Sequence, residues 1–111
     1  MSGVLVVTGS SRGIGAACAI MGAAKGFKVC VNYNNSPDRA EQVMEQIREN
    51  GGTAIAVAGD MGREADIIAL FREVDAQLGP VTALINNAGI TGTVSRLEDM
   101  AADDMAEVFR L

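Results

Sequence analysis

The sequence contains no histidine, a single tyrosine (Tyr33) and only two cysteines among its 111 residues. Without histidine there is no imidazole acid–base chemistry, and the commonest zinc ligand is missing. Cys18 and Cys30 are too few for a disulfide framework. In a chain with no readable secretion signal, both are expected to be buried, reduced thiols. Two thiols and scattered carboxylates are a poor basis for a metal site, so no metal is expected. Basic residues are scarce as well: nine against fourteen acids, a formal charge of −5. No basic stripe is available for nucleic acid or an anionic membrane surface, and neither is expected as a partner. The opening "MSGVLVVTG" has no basic n-region, and no apolar run is long enough to span a bilayer. A soluble, cytoplasmic protein is the expectation.

What is present is a globular composition, 49% hydrophobic and 21% charged, in a length suited to one domain with a modest core. Val4–Val7 is a β-branched run that reads as a buried strand. Helical spacing follows from Gly13 to Lys25, with Ile14, Ala17, Cys18, Met21 and Ala24 expected on one inward side and Gly26 as the stop. "KVCVN" (28–32) is a second strand. Ser36 followed by Pro37 reads as an N-cap and first helical residue. The helix to Asn50 carries Ala40, Val43, Met44 and Ile47 on its apolar stripe. "TAIAVA" (53–58) is a third strand. Arg63–Leu78 is a helix with Ile67, Leu70, Phe71, Val74 and Leu78 inward, closed by Gly79-Pro80. "VTALIN" (81–86) is a fourth strand, followed by a Gly/Thr-rich loop over 88–95 and a helix from about Ala102 through Val108. Strands alternating with helices imply parallel βαβ units with right-handed crossovers, half of a doubly wound α/β sheet.

At the first strand–helix junction stands "TGSSRGIG" (8–15). There the free N–H groups and dipole of a helix start favour an anion. Gly9 permits the tight turn, Gly13 lets backbone approach a pyrophosphate, and Gly15 lets helix and strand pack closely. Ser11 and Arg12 can add side-chain donors. A P-loop would need Gly-Lys-Ser/Thr where this chain has Gly13-Ile14-Gly15, so nucleotide hydrolysis and kinase chemistry are excluded.

Taken with "AGD" (58–60) and "NNAG" (86–89), "TGSSRGIG" closely resembles the short-chain dehydrogenase/reductase family. The likeness runs along essentially the whole chain and is strongest to sugar dehydrogenase-like and 3-oxoacyl carrier-protein reductase-like members. It implies a Rossmann-type fold, of which residues 1–111 are the NAD(P)-binding domain, an N-terminal half of about four strands cut before the catalytic half. It implies that Gly9, Ser11, Gly13, Ile14 and Gly15 line the pyrophosphate. Asp60 would accept from the adenine amino group with the Met61 backbone beside it. Asn87, Ala88 and Gly89 would back the adenosine ribose and stabilise the central sheet, with Asn86 a plain strand-end polar residue.

The end of the second strand discriminates between cofactors. An NAD site places an acid there, about 20 residues after the glycines, to bind the ribose 2′-hydroxyl. Here "VNYNNS" has no acid before Asp38, and Arg12, Tyr33, Asn34 and Ser36 are available to a 2′-phosphate. NADP(H) is the expected cofactor, with NAD(H) still admitted.

The family's reaction, hydride transfer between nicotinamide and a small carbonyl or alcohol substrate, relies on Ser, Tyr and Lys, the last two as Tyr-x-x-x-Lys. Tyr33 is followed four residues on by Pro37, so no catalytic residue is assigned. One-domain α/β folds run to about 200–250 residues, and the chain is expected to be the cofactor half of such an enzyme. A non-catalytic dinucleotide-binding module is the alternative. The resemblance also implies homo-oligomers, through helices beginning near Met100. "VTALIN" is expected to become an unpaired, aggregation-prone edge in the isolated residues, which should be poorly stable unless complemented, domain-swapped or associated.

Overall fold

The structure, a computed structural model, describes residues 3–10, 13–87 and 94–95. β1 (Val4–Thr8), β2 (Lys28–Tyr33), β3 (Ala54–Ala58) and β4 (Ala83–Asn86) are parallel, and β5 (Val94–Ser95) adds an antiparallel edge, in the order β3-β2-β1-β4-β5. Three helices connect the parallel strands: α1 (Gly13–Ala24), α2 (Pro37–Glu49) and α3 (Glu64–Gln77). The doubly wound arrangement expected from the sequence, four parallel strands alternating with helices, is the fold observed.

Strand alternation sends successive side chains to opposite faces. Leu5, Val7, Val29, Val31 and Ala54 pack under α1 and α2 through Ala19, Ala40, Val43 and Ile47. Val4, Val6, Cys30 and Leu84 pack under α3 through Ile67, Leu70, Phe71 and Val74. β1 lies between two paired neighbours, and all five of its residues are buried. The stripes expected on α2 and α3 are the ones observed, with Met44 half-buried.

α1 departs from expectation. Its buried residues are Gly15, Ala19 and Gly22, while Ile14 and Met21 are 76% and 61% exposed. Ala17 and Ala24 are exposed too, so most of the side expected to face inward faces out. The cause is proximity: a Cβ on Gly22 would strike the Leu5 side chain, so only small residues fit between α1 and β1. The larger apolar residues were a misleading guide because this helix packs through its backbone. Cys18, expected to be buried, is only half-buried for the same reason, whereas Cys30 is fully buried; both thiols are free.

Two smaller differences concern caps and edges. Ser36 occupies the N-cap of α2 with Pro37 after it, but its hydroxyl makes no capping hydrogen bond. β4 is not a bare edge: Leu84 and Ile85 pair with Ser95 and Val94 inside the segment expected to be loop. Among the described residues no helix is long and apolar enough to cross a membrane.

Candidate dinucleotide site at the strand carboxyl ends

All four parallel strands deliver their carboxyl ends to one edge of the sheet. From β1 the chain winds outward to β2 and β3, then returns across to β4 on the other side. β1 and β4 therefore flank the switch point, where open α/β sheets form a crevice for ligands. The β1–α1 turn opens at that point.

The turn's geometry depends on glycine at two kinds of position. Gly9 and Gly13 have φ of 60° and 64°, in the left-handed region where side chains are disfavoured. Gly15 is conformationally ordinary but cramped: a Cβ there would collide with the Gly9 carbonyl oxygen and stand 2.7 Å from Asn87 Nδ2. At Gly13 a Cβ would meet nothing within 4 Å, so the space outside the turn is open. The first turn of α1 contains no acidic residue to complement its positive dipole end. The exposed Ile14 borders the same opening.

Hydrogen bonds tie the other strand ends to this turn. Asn87 Nδ2 donates to the Gly9 carbonyl at 3.2 Å, and the Asn87 N–H donates to Thr8 Oγ1 at 2.9 Å. Thr8 Oγ1 in turn donates to Asn86 Oδ1 at 3.1 Å, locking the ends of β1 and β4 side by side. Beyond β3, the half-buried Asp60 accepts from the Gly62 N–H at 2.8 Å, while its own N–H donates to Asp66 Oδ2 at 2.9 Å. Asp66 lies in the first turn of α3, where a carboxylate complements the helix dipole. Met61 turns its side chain into the core under α3. At the end of β2, Tyr33 is half-buried against the α1–α2 core and Asn34 is exposed.

The structure thus brings Gly9, Gly13, Ile14, Gly15 and Asn87 together at one turn. It sets Asp60, Met61, Tyr33 and Asn34 at the neighbouring strand ends. Ser11, Arg12, Ala88 and Gly89 lie outside the described residues, as do Met100 and the helix expected over 102–108. Sequence reasoning missed Ser10, Asn32 and Asp66 as organisers, and passed over Thr8 except as a flank of the motif. Their signal was available: Thr8 and Asn32 are polar residues ending apolar strands at positions that alternation turns inward. Among the described residues no cluster of His, Cys, Asp and Glu could hold a metal ion.

The comparisons with known proteins agree with this arrangement. Elsinochrome reductase 1 of Elsinoe fawcettii is 40% identical over 108 residues, 97% of this chain and 40% of that protein. The 3-oxoacyl-acyl-carrier-protein reductase FabG of Staphylococcus epidermidis is 38% identical over 104 residues, 92% of this chain and 43% of the relative. A crystal structure of hydroxysteroid dehydrogenase from Escherichia coli superposes with a TM-score of 0.75 at 36% identity, covering 79% of this chain and 37% of that one. The chain spans about two fifths of the length of these curated relatives. The family model for short chain dehydrogenases matches residues 3–111, and with a glycine turn at the switch point of a doubly wound sheet, the chain belongs to the short chain dehydrogenase family.

Proposed function

We propose that residues 1–111 are the dinucleotide-binding domain of an NADP(H)-dependent oxidoreductase acting on a small carbonyl or alcohol substrate. The observation that carries this reading is the β1–α1 turn, with positive-φ glycines, a helix start without acidic residues and open space beyond Gly13. Those features suit a pyrophosphate, which needs N–H donors and no intervening side chain. When the dinucleotide is bound, the chemistry it supplies is hydride transfer. The chain's own part is to bind and orient. Gly9, Gly13, Ile14 and Gly15, with Ser11 and Arg12, hold the phosphates. Asp60 accepts from the adenine amino group beside the Met61 backbone. Asn87, Ala88 and Gly89 support the ribose.

The preference for NADP(H) rests on the end of β2, where Tyr33 and the exposed Asn34 stand in place of an acid. A carboxylate there would accept from a 2′-hydroxyl and repel a 2′-phosphate. Fluorescence titration of the full-length protein with NADPH and NADH tests both levels. NADPH is expected to bind more tightly, and Asn34→Asp to lower its affinity by about tenfold while sparing NADH. Tighter binding of NADH to the unmodified protein overturns the preference. No binding of either, or binding unaffected by Gly13→Val, overturns the dinucleotide reading.

A further inference from the structure

Asn32 is 2% exposed, yet it stands near the end of an otherwise apolar strand. Its surroundings explain the polarity. β1 and β2 are in register only as far as Val7 and Val31; at Thr8, β1 parts from β2 and stays with β4 through Asn86. A gap opens between the strand ends, and Ser10 and Asn32 fill it. The Ser10 N–H donates to the Asn32 carbonyl at 2.9 Å, and the Asn32 N–H donates to Ser10 Oγ at 2.9 Å. The Ser10 hydroxyl donates back to the Val7 carbonyl at 2.6 Å.

The Asn32 side chain then reaches both ways along the edge. Oδ1 accepts from the Gly9 N–H at 3.0 Å, inside the phosphate turn. Nδ2 donates to the carbonyls of Val57 at 3.3 Å and Gly59 at 3.2 Å, the latter next to Asp60. One amide thus spends its acceptor on the turn after β1 and its donors on the exit from β3. No other natural side chain of that length offers an acceptor on one branch and two donors on the other. Aspartate would keep the bond to Gly9 but present an oxygen to two carbonyl oxygens.

We infer that Asn32 is a positioning residue that sets the phosphate turn and the Asp60 loop at a fixed separation, so that pyrophosphate and adenine are recognised together. This rests on the reading of Gly9–Gly15 and Asp60 as cofactor site. It assigns Asn32 no contact with the cofactor; its effect passes through Gly9 and Gly59.

The test compares full-length wild-type, Asn32→Asp and Asn32→Ala proteins for affinity to NADPH and to its deamino analogue, in which a keto oxygen replaces the adenine amino group. The readout is the ratio of the two dissociation constants. A purely structural role would weaken both ligands alike and leave the ratio unchanged. In the wild type NADPH is expected to win by about tenfold, the worth of a hydrogen bond to a charged acceptor. In Asn32→Asp the ratio is expected to fall at least threefold while most NADPH affinity survives, because the Gly9 bond is kept. In Asn32→Ala the ratio falls and NADPH affinity drops by a further tenfold or so. A wild-type ratio near one overturns the Asp60 assignment and the inference with it. A wild-type preference retained in both variants overturns the inference alone. Should Asn32→Asp fail to fold, Asn32→Ala and Asn32→Ser decide on the same ratio.

Discussion

Replacing Gly15 by alanine adds one methyl group, and its consequence can be worked from the turn. Gly15 lies in α1 with ordinary helical backbone, so helix propensity alone would favour alanine by about 1 kcal/mol. The added Cβ, however, meets the Gly9 carbonyl oxygen, stands 2.7 Å from Asn87 Nδ2 and 3.0 Å from the Ser10 Cα. Two of those three atoms are backbone and cannot rotate away. Overpacking a tight site costs about 1–3 kcal/mol. The methyl also intrudes on the Asn87–Gly9 hydrogen bond, whose loss costs about 1 kcal/mol more. The propensity gain offsets roughly the hydrogen bond, leaving a net loss of about 1–3 kcal/mol. At the roughly 2–4 °C per kcal/mol typical of domains of 150–250 residues, that lowers Tm by about 2–12 °C.

The larger effect should be on binding, because relief of the clash moves α1 away from β1 and widens the phosphate turn. NADPH affinity is expected to fall at least tenfold at a temperature where the variant is fully folded. Gly22→Ala is the control: its Cβ meets the flexible end of Leu5, two turns further along α1, so it should cost stability without touching affinity. Differential scanning calorimetry and NADPH titration on the three proteins suffice. A Gly15→Ala protein that melts and titrates like the wild type would show that the turn tolerates a side chain and that its tightness serves no ligand.

Three further outcomes are expected. Thr8→Val keeps the shape but strands the Asn87 N–H and the Asn86 side chain, so it should cost about 1–3 kcal/mol in a urea melt; an unchanged midpoint would show the β1–β4 clamp to be idle. Asp66→Ala frees the Asp60 N–H and should weaken NADPH severalfold while leaving the phosphate turn intact; unchanged NADPH affinity would dissociate the α3 start from adenine binding. Burial, aided by Glu73, pushes the Cys30 thiol from 9.0 up to about 12, so iodoacetamide at pH 8 should modify Cys18 and spare Cys30 until the protein unfolds, as peptide mass mapping would reveal. Above pH 9 the unfolded chain loses a proton that the folded one keeps, so this thiol makes stability fall with rising pH by up to about 1.4 kcal/mol per unit.

The parts of the fold that could be read beforehand are those fixed by local pattern. Residues 43 and 47 of α2 and 67, 70, 71 and 74 of α3 are large, apolar and helically spaced, and they are buried, with Ala40 completing the α2 stripe. α1 misled because its inward residues are glycine and alanine, which carry no hydrophobic signal; what they supply is the absence of bulk against Leu5 and the Gly9 carbonyl. Only the partner surface reveals that need. β5 was illegible for a related reason: two residues in a Gly/Thr-rich stretch acquire strand geometry only by pairing with Leu84 and Ile85 of the preceding strand.

The site divides along the same line. Glycines 9, 13 and 15 announce themselves because they act through backbone and must fall at fixed spacing after a strand. Asn32 and Asp66 have no such spacing. Each is defined by where two other strand or helix ends arrive, 23 residues away for the Gly9 bond and six for the Asp60 bond. Yet a trace of them is present in the sequence. An asparagine in a strand whose neighbours at 29, 30 and 31 are wholly buried must either break the sheet or meet every bond it can make. Among the described residues no buried side-chain polar atom lacks a partner, so the second alternative holds. Buried polar residues at the carboxyl ends of parallel strands can therefore be sought directly in such sequences, as the groups that hold a ligand-binding edge in shape without touching the ligand.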